Sequence, residues 1–532
     1  MPNSFSYLAL FSWPVVVFVL FRIFPRAEAL AWSVIGGYLL LPFGVGINPP
    51  ILPTIDKNLL PSFCAGVMCL LVGEGSAMPY QRRSPAAAAP VLTAGAVEPA
   101  SGPVMRDASQ PSFTRQQTHR PARTSAALSA ADPGQSQMQR PPLILTLLLV
   151  LLVLVQGLTY LQNTDAYRVA SRVMPELSLY DASSMIMNAL VMVLPFLLGQ
   201  RYLGAPQAQI SLLRVFCVSG LLYSLPILLE IRLSPQLSRW VYGFLAQKFS
   251  MAMRDDGFRP IVFLQAGLWL AIYVAMTALA AFALWRTEKA AGRKGWALLG
   301  GLWLTGVMFL SHSLGALAIL VALAPFCLLI PARSQIFMAA LISSVILIYP
   351  ILRGAGIAPV GLVYDMAASI STERALSFQF RIDNENSLLA HANQRPLVGW
   401  GGYGRSRVYD PQTGQDISVT DGAWIIFLGV SGWAGYVAVF GLLAAPPIIL
   451  IRRFKRLMPG LATSGLCLVL AANMIDLIPN ATLTPITWLI AGALAGRTRY
   501  SLAASASDPQ GAAERPGTPQ NPRRRSGPAT RR

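Results

Sequence analysis

Charge is scarce in this sequence. Asp, Glu, Lys and Arg make up 12% of its 532 residues, whereas 54% are hydrophobic. A soluble domain carries about twice that charged share, so an ordinary soluble enzyme is excluded. Histidine is rarer still: His119, His312 and His391 are too scattered to suggest a metal site. The five cysteines, Cys64, Cys69, Cys217, Cys327 and Cys467, all fall in apolar runs. None belongs to a CxxC or to a Cys/His pair with zinc spacing, so they read as packing residues and not as disulfides or metal ligands. No Ser-His-Asp signature or nucleophile elbow occurs. No internal repeat is visible, which counts against an inverted-repeat transporter.

What the sequence has instead is long apolar runs. Leu143–Tyr160, Ser211–Leu229, Ile261–Leu284 and Trp424–Leu450 each reach the roughly 18 residues that span a bilayer. Backbone polar groups cannot stay unpaired in lipid, so such runs are helices. They are too long for barrel strands of about 10 residues. The first run, Ser6–Phe24, has no basic residue ahead of it and no small-residue cleavage site, and reads as a membrane helix and not as a signal peptide. The expected fold class is an all-α polytopic membrane protein of about 12–13 transmembrane helices, roughly at 6–24, 28–46, 59–73, 141–160, 180–198, 211–229, 260–285, 296–311, 314–330, 335–353, 423–448, 459–478 and 481–496. A large loop between the tenth and eleventh is expected to hold short helices.

These helices sort the loops into two alternating groups. One comprises the 22–28 turn, 74–140, 199–214, 286–295, 331–334, 451–458 and the tail from Arg497. It holds 28 of the 42 Lys and Arg but only 8 of the 23 Asp and Glu; the other group is close to neutral. Basic loops mark the cytoplasmic side, which predicts an amino terminus outside and a carboxyl terminus inside. The net charge of +19 is therefore a matter of topology, and no nucleic-acid partner is expected. The domain reading is 1–74 amino-terminal membrane helices, 75–140 a disordered basic cytoplasmic loop, 141–353 a transmembrane bundle with a first outside loop at 230–259, 354–422 a large outside loop, 423–500 carboxyl-terminal membrane helices, and 501–532 a disordered basic cytoplasmic tail. The two disordered segments lack any apolar period, and their basic residues can meet anionic lipid head groups.

Polar residues concentrate in the two outside loops. In 230–259, Arg232, Arg239, Lys248, Arg254 and Arg259 alternate with Trp240, Tyr242, Phe244 and Phe249, a pattern suited to the membrane interface. Arginine there either snorkels to water or holds a phosphate through its paired donors. The loop 354–422 contains Trp400-Gly401-Gly402-Tyr403-Gly404. No strand precedes these glycines, so a compact loop on the helix ends, positioning Arg405 and Arg407, is preferred to a phosphate loop. His391 reads as a packed or capped residue, and His312 as a polar residue at a helix end.

Three elements in order resemble the O-antigen ligase/polymerase family of membrane glycosyltransferases. Arg254, Gly257, Phe258 and Pro260 lie in RDDGFRP. Arg381 precedes Pro396-Leu397-Val398-Gly399-Trp400-Gly401. Gly432-Trp433-Ala434-Gly435 follows, and counting back from it puts Asp421-Gly422 where the family carries His-Asn. The resemblance covers about residues 254–435, a third of the chain. It departs from the family in that aspartate and at Ser313-Leu314-Gly315, where the family has Ser-Arg-Gly.

The resemblance implies transfer of a glycan from an undecaprenyl-diphosphate carrier to an acceptor hydroxyl, at the periplasmic face of a bacterial inner membrane, in surface or exopolysaccharide biosynthesis. It implies a glycan or lipid acceptor, a groove for the polyprenyl tail, contact with membrane lipids and with other polysaccharide-assembly proteins, and no cofactor or metal. Such chemistry needs cations on the leaving diphosphate and a base for the hydroxyl proton. Arg254, Arg381, Arg259 and Arg405 are the candidate diphosphate ligands, Asp421 the candidate base and Glu385 its reserve. Asp421 has a second reading, as the cap of the helix that starts near Trp424. The alternatives to an enzyme are a polysaccharide or lipid-linked-oligosaccharide transporter and a non-catalytic scaffold of a secretion complex.

Overall fold

The computed structural model describes residues 2–49, 53–72, 140–254 and 257–500. Both segments expected to be disordered lie outside these residues, apart from Arg140. The helices, in chain order, are α1 (Ser4–Ile23), α2 (Arg26–Leu40), α3 (Leu60–Leu71), α4 (Leu143–Gln162), α5 (Leu179–Tyr202), α6 (Pro206–Leu233), α7 (Leu237–Tyr242), α8 (Gly267–Thr287), α9 (Ala291–Leu310), α10 (Leu314–Leu329), α11 (Ala332–Gly354), α12 (Val360–Ile370), α13 (Thr372–Ala392), α14 (Ala423–Arg452), α15 (Phe454–Leu457), α16 (Leu461–Asp476) and α17 (Pro485–Arg497). Three short antiparallel hairpins join them: β1 (Gly46–Ile47) with β2 (Ile55–Asp56), β3 (Tyr167–Val169) with β4 (Arg172–Met174), and β5 (Met253–Arg254) with β6 (Gly257–Phe258).

Among the described residues, seven helices (α1, α4, α5, α6, α8, α11 and α14) are long and apolar enough to cross a membrane. Their outward faces are apolar too: Phe11, Leu154, Leu190, Leu222 and Leu341 are exposed. In water each such side chain forgoes about 1.5–3 kcal/mol of burial; against lipid it forgoes nothing. The chain is an all-α polytopic membrane protein.

Helix α8 is the core. Every residue from Leu270 to Leu284 is buried, as expected of a helix that is apolar on all faces. Its alanines let neighbouring backbones come close. A side chain on Gly465 of α16 would collide with Ala283. The same device joins α5 to α17, where a Cβ on Gly492 would strike the Phe196 carbonyl.

Helix α8 starts later than its apolar run. Residues 260–266 are not helical, because Glu230 near the carboxyl end of α6 takes the amides that would begin the helix. Its carboxylate accepts from Ile261 and Val262 N–H, both at 2.8 Å, and from Leu237 N–H at 3.0 Å. Val262 has φ 54°, which no helix permits.

One break organises the region around the 354–422 loop. Inside α14, Gly432 has φ 62° and ψ −165°. The segment Pro396–Gly401 threads into the gap. Trp400 and Gly401 N–H donate to the carbonyls of Gly429 and Val430 (both 2.9 Å), while Trp433 and Ala434 N–H donate to Pro396 and Leu397 (2.8 and 3.0 Å). A Cβ at Gly432 would meet the Leu397 carbonyl at 2.5 Å. From α4, Thr159 Oγ1 holds the Val398 carbonyl at 2.6 Å and Asn163 Nδ2 the Gly399 carbonyl at 3.0 Å. The two glycine motifs of the sequence are thus one interlock that fastens the 354–422 loop into the bundle.

Candidate functional site

Helix α13 runs along the 354–422 loop. Its spacing puts Arg381 and Glu385, four residues apart, on one face. That face is drawn inward by Ala375, Leu388 and Ala392, all buried. Polar bonds pin it: Val419 N–H donates to Asn384 Oδ1 at 2.9 Å, and Arg353, at the end of α11, donates to Asn386 Oδ1 at 2.7 Å.

The same face meets the start of α14. Arg381 Nε stands 3.5 Å from Asp421 Oδ2, with both side chains partly open to solvent. One turn further, Arg353 Nε stands 3.8 Å from Glu385 Oε2, and there both side chains are nearly closed off. Arg353 Nε, Glu385 Oε2 and the Trp424 indole N–H are all buried, and none of the three is fully satisfied by a hydrogen bond among the described residues. Burial pushes the Glu385 carboxyl up to about 7. Arg353, the Trp424 indole and Arg381 pull it down and Asp421 adds to the rise, but burial outweighs them.

The expected alternative for Asp421, a helix cap, is not what the structure holds. The cap position of α14 is Gly422, which has no side-chain cap bond. The first amide of the helix, Ala423 N–H, donates instead to the carbonyls of Leu477 and Asn480 at 3.0 and 3.2 Å. That turn is shaped by Asp476, the last residue of α16 and 4% exposed. Its carboxylate accepts from Asn480 Nδ2 at 2.8 Å and from Thr482 Oγ1 at 2.6 Å, and it also feels the charge of Arg381. Two arginines and three carboxylates therefore surround the first turn of α14, where the helix dipole is positive.

Sequence reasoning found Arg381, Glu385 and Asp421 and missed two members. Arg353 is the last residue of the expected 335–353 helix, and no neighbouring polar residue marks it out. Asp476 sat inside an apolar run, and its signal was that very isolation, since a lone carboxylate in a membrane helix demands a partner.

The other candidates fall elsewhere. Arg405 is not available as a diphosphate ligand. It is 1% exposed, and its guanidinium donates to the carbonyls of Trp400 (3.2 Å), Asp165 (3.0 Å) and Pro175 (2.8 Å) and to Asn163 Oδ1 (3.3 Å). It braces the loop, whereas the sequence expectation had the loop present it to a ligand. Arg407 pairs with Asp416 at 2.5 Å. Arg259 donates to the His312 carbonyl at 3.2 Å, its stem passing over Gly267 where no Cβ fits. The backbone of Arg254 forms β5, opposite Gly257; its side chain lies outside the described residues. His391 is buried, stacked on Trp400 with centroids 4.4 Å apart, and its Nε2 is bonded to the Arg405 carbonyl at 3.0 Å. Burial lowers its pKa, and these contacts make it a packing residue of the loop.

No known family model matches this chain, and no curated protein sequence does.

Proposed function

We propose that the chain is a glycosyltransferase of the O-antigen ligase/polymerase kind, moving a glycan from a polyprenyl-diphosphate carrier to an acceptor hydroxyl on the periplasmic side of a bacterial inner membrane. The observation that carries the reading is Glu385: a buried carboxyl raised to about 7, flanked by Arg353 and Arg381, at the positive end of α14. A base is most effective when its pKa lies near the working pH, and a diphosphate leaving group needs fixed cations nearby. The cluster offers both within one turn of helix.

In this reaction the acceptor oxygen forms a bond to the anomeric carbon while the bond from that carbon to the diphosphate oxygen breaks. The diphosphate leaves with the electron pair, held by guanidinium groups. The hydroxyl proton passes to Glu385. This order exchanges the two carboxylates of the sequence expectation: Glu385 is the base, and Asp421 holds Arg381 in place. The bias of basic residues to one set of alternating loops supports this side of the membrane. Those loops are themselves tied together, by Arg214 with Glu288 at 2.6 Å and by Arg497 with the Leu457 carbonyl at 2.7 Å.

The test is deletion of the gene followed by analysis of surface glycans, with complementation by native chain or by Glu385→Gln. Short glycans in the deletion indicate a polymerase, and full-length unattached polymer indicates a ligase. Unchanged glycans in the deletion would refute both.

A further inference from the structure

A cavity of about 450 Å³ lies beside the first two turns of α14, within the roughly 300–1,000 Å³ of sites that hold small ligands. It is bounded by the end of α2, the 53–58 segment, the middle of α5, the start of α8 and the α16–α17 connection. Its walls include five aromatic residues, Tyr38, Phe43, Trp269, Phe427 and Trp488.

Two buried polar groups of this cavity are unmatched. The Tyr38 hydroxyl and the Trp488 indole N–H are buried without a hydrogen bond among the described residues, in side chains 4% and 1% exposed. The amides of Asn188 and Gln265 also line it. Neither amide side chain has a hydrogen-bond partner among the described residues. A buried donor left bare costs about 1–3 kcal/mol, which applies to the phenol and the indole; Gln265 is half-buried, and Asn188 is exposed, midway along a membrane helix. Lys57 lines the cavity too, but its ammonium is already bonded to the carbonyls of Leu41 and Phe263 at 2.9 and 3.2 Å; it is a brace.

We infer that this cavity binds a sugar ring of an amphiphilic substrate. Flat aromatic walls suit the C–H faces of a pyranose, and phenol, indole and amide groups suit its hydroxyls. A hydrocarbon tail would leave the buried phenol and indole bare. Ala423, two residues past Asp421, is part of the wall, so the cavity and the charged cluster share one helix turn. On the proposed transfer reaction, on which this assignment of role rests, the ring is the acceptor, presented to Glu385 from the membrane side.

The experiment is photolabelling of the full-length protein in phospholipid nanodiscs. One probe is an alkyl glucoside with a diazirine on the sugar; the other is a phosphatidylcholine with a diazirine at the end of an acyl chain. The sugar probe is expected to label peptides spanning 53–58 and 481–488, and excess unlabelled alkyl glucoside to displace it. Labelling should fall roughly fivefold in Asn188→Leu and in Gln265→Leu, each of which removes one hydrogen-bonding group. Labelling of those peptides by the acyl probe as strongly as by the sugar probe, or sugar labelling that neither variant reduces and excess glucoside does not displace, overturns the inference. Labelling needs no turnover, so Glu385→Gln should label like the native chain. A cavity that fails to label while Glu385→Gln abolishes transfer removes this inference and leaves the proposed chemistry standing.

Discussion

Asp421 gives its carboxylate to Arg381 across a 3.5 Å gap, while the helix it precedes is closed by carbonyls from the α16–α17 turn. Its substitution is therefore a matter of arginine placement and not of helix stability. Asp421→Asn should leave thermal stability unchanged and weaken donor binding, raising KM by about tenfold with a smaller effect on kcat, because one exposed ion pair positions the guanidinium. A fall in kcat of a hundredfold or more, with partial recovery in Asp421→His, would return the base role to this residue.

Glu385 should govern the pH profile. With its carboxyl raised to about 7, the deprotonated base accumulates as pH climbs through that value, so transfer should rise from pH 6 to pH 8. Glu385→Gln should lower the rate by about a hundredfold or more and abolish that limb. The same shift has an opposite consequence for the fold. The native state holds a proton that the unfolded chain has released above its ordinary carboxylate value, so this stabilisation is complete below that value and is lost as pH rises to about 7. Melting temperatures of native and Glu385→Gln protein at pH 5 and pH 8 check the sign: the native chain should lose stability between them, and the variant should not.

Arg405→Lys keeps the charge and loses the fork that reaches four acceptors. The lysine point charge cannot replace it, and the carbonyls of Asp165 and Pro175 would lose their partners. The expected result is a protein destabilised by several degrees, with near-normal transfer per folded molecule. A stable but inactive variant would instead give Arg405 a place in the chemistry.

Gly432→Ala should fail to accumulate, because its φ of 62° disfavours an L side chain and its Cβ would meet the Leu397 carbonyl at 2.5 Å. Gly306→Ala is the control: nothing lies within 4 Å of its added Cβ, and alanine is the better helix former by about 1 kcal/mol. Membrane levels of the two variants decide the matter.

The sidedness is tested by a reporter that works only outside the cytoplasm. Fused after Gly414 it should be active, and fused after Ala130 silent. The reverse pattern would put the charged cluster on the cytoplasmic side and defeat the proposed reaction.

The membrane helices were legible because apolar runs of that length have no other stable form in lipid. Their ends were less so. The delayed start of α8 depends on Glu230, a residue of a different helix, and no local pattern encodes that. In the cluster, Arg381 and Glu385 share a helix face by spacing alone, whereas Arg353 and Asp476 arrive from other helices and are joined only by packing. Arg405 was misread for the same reason. An arginine after glycines looks ready for a ligand until the carbonyls of Asp165 and Pro175, far back in the chain, close around it.

The splice of Pro396–Gly401 into α14 also bears on how the protein is made. Gly429 and Val430 offer carbonyls, and Trp433 and Ala434 offer amides, that no residue of their own helix satisfies. Left in hydrocarbon, each bare group would cost several kcal/mol. A growing chain delivers residues 396–401 ahead of α14, so the strap is available when the helix emerges. The first turns of α14 can then enter lipid only once the 354–422 loop has folded onto them. Membrane insertion at this point is thus the closing step of loop folding, and a chain whose loop misfolds is left with a helix that cannot be released into the bilayer.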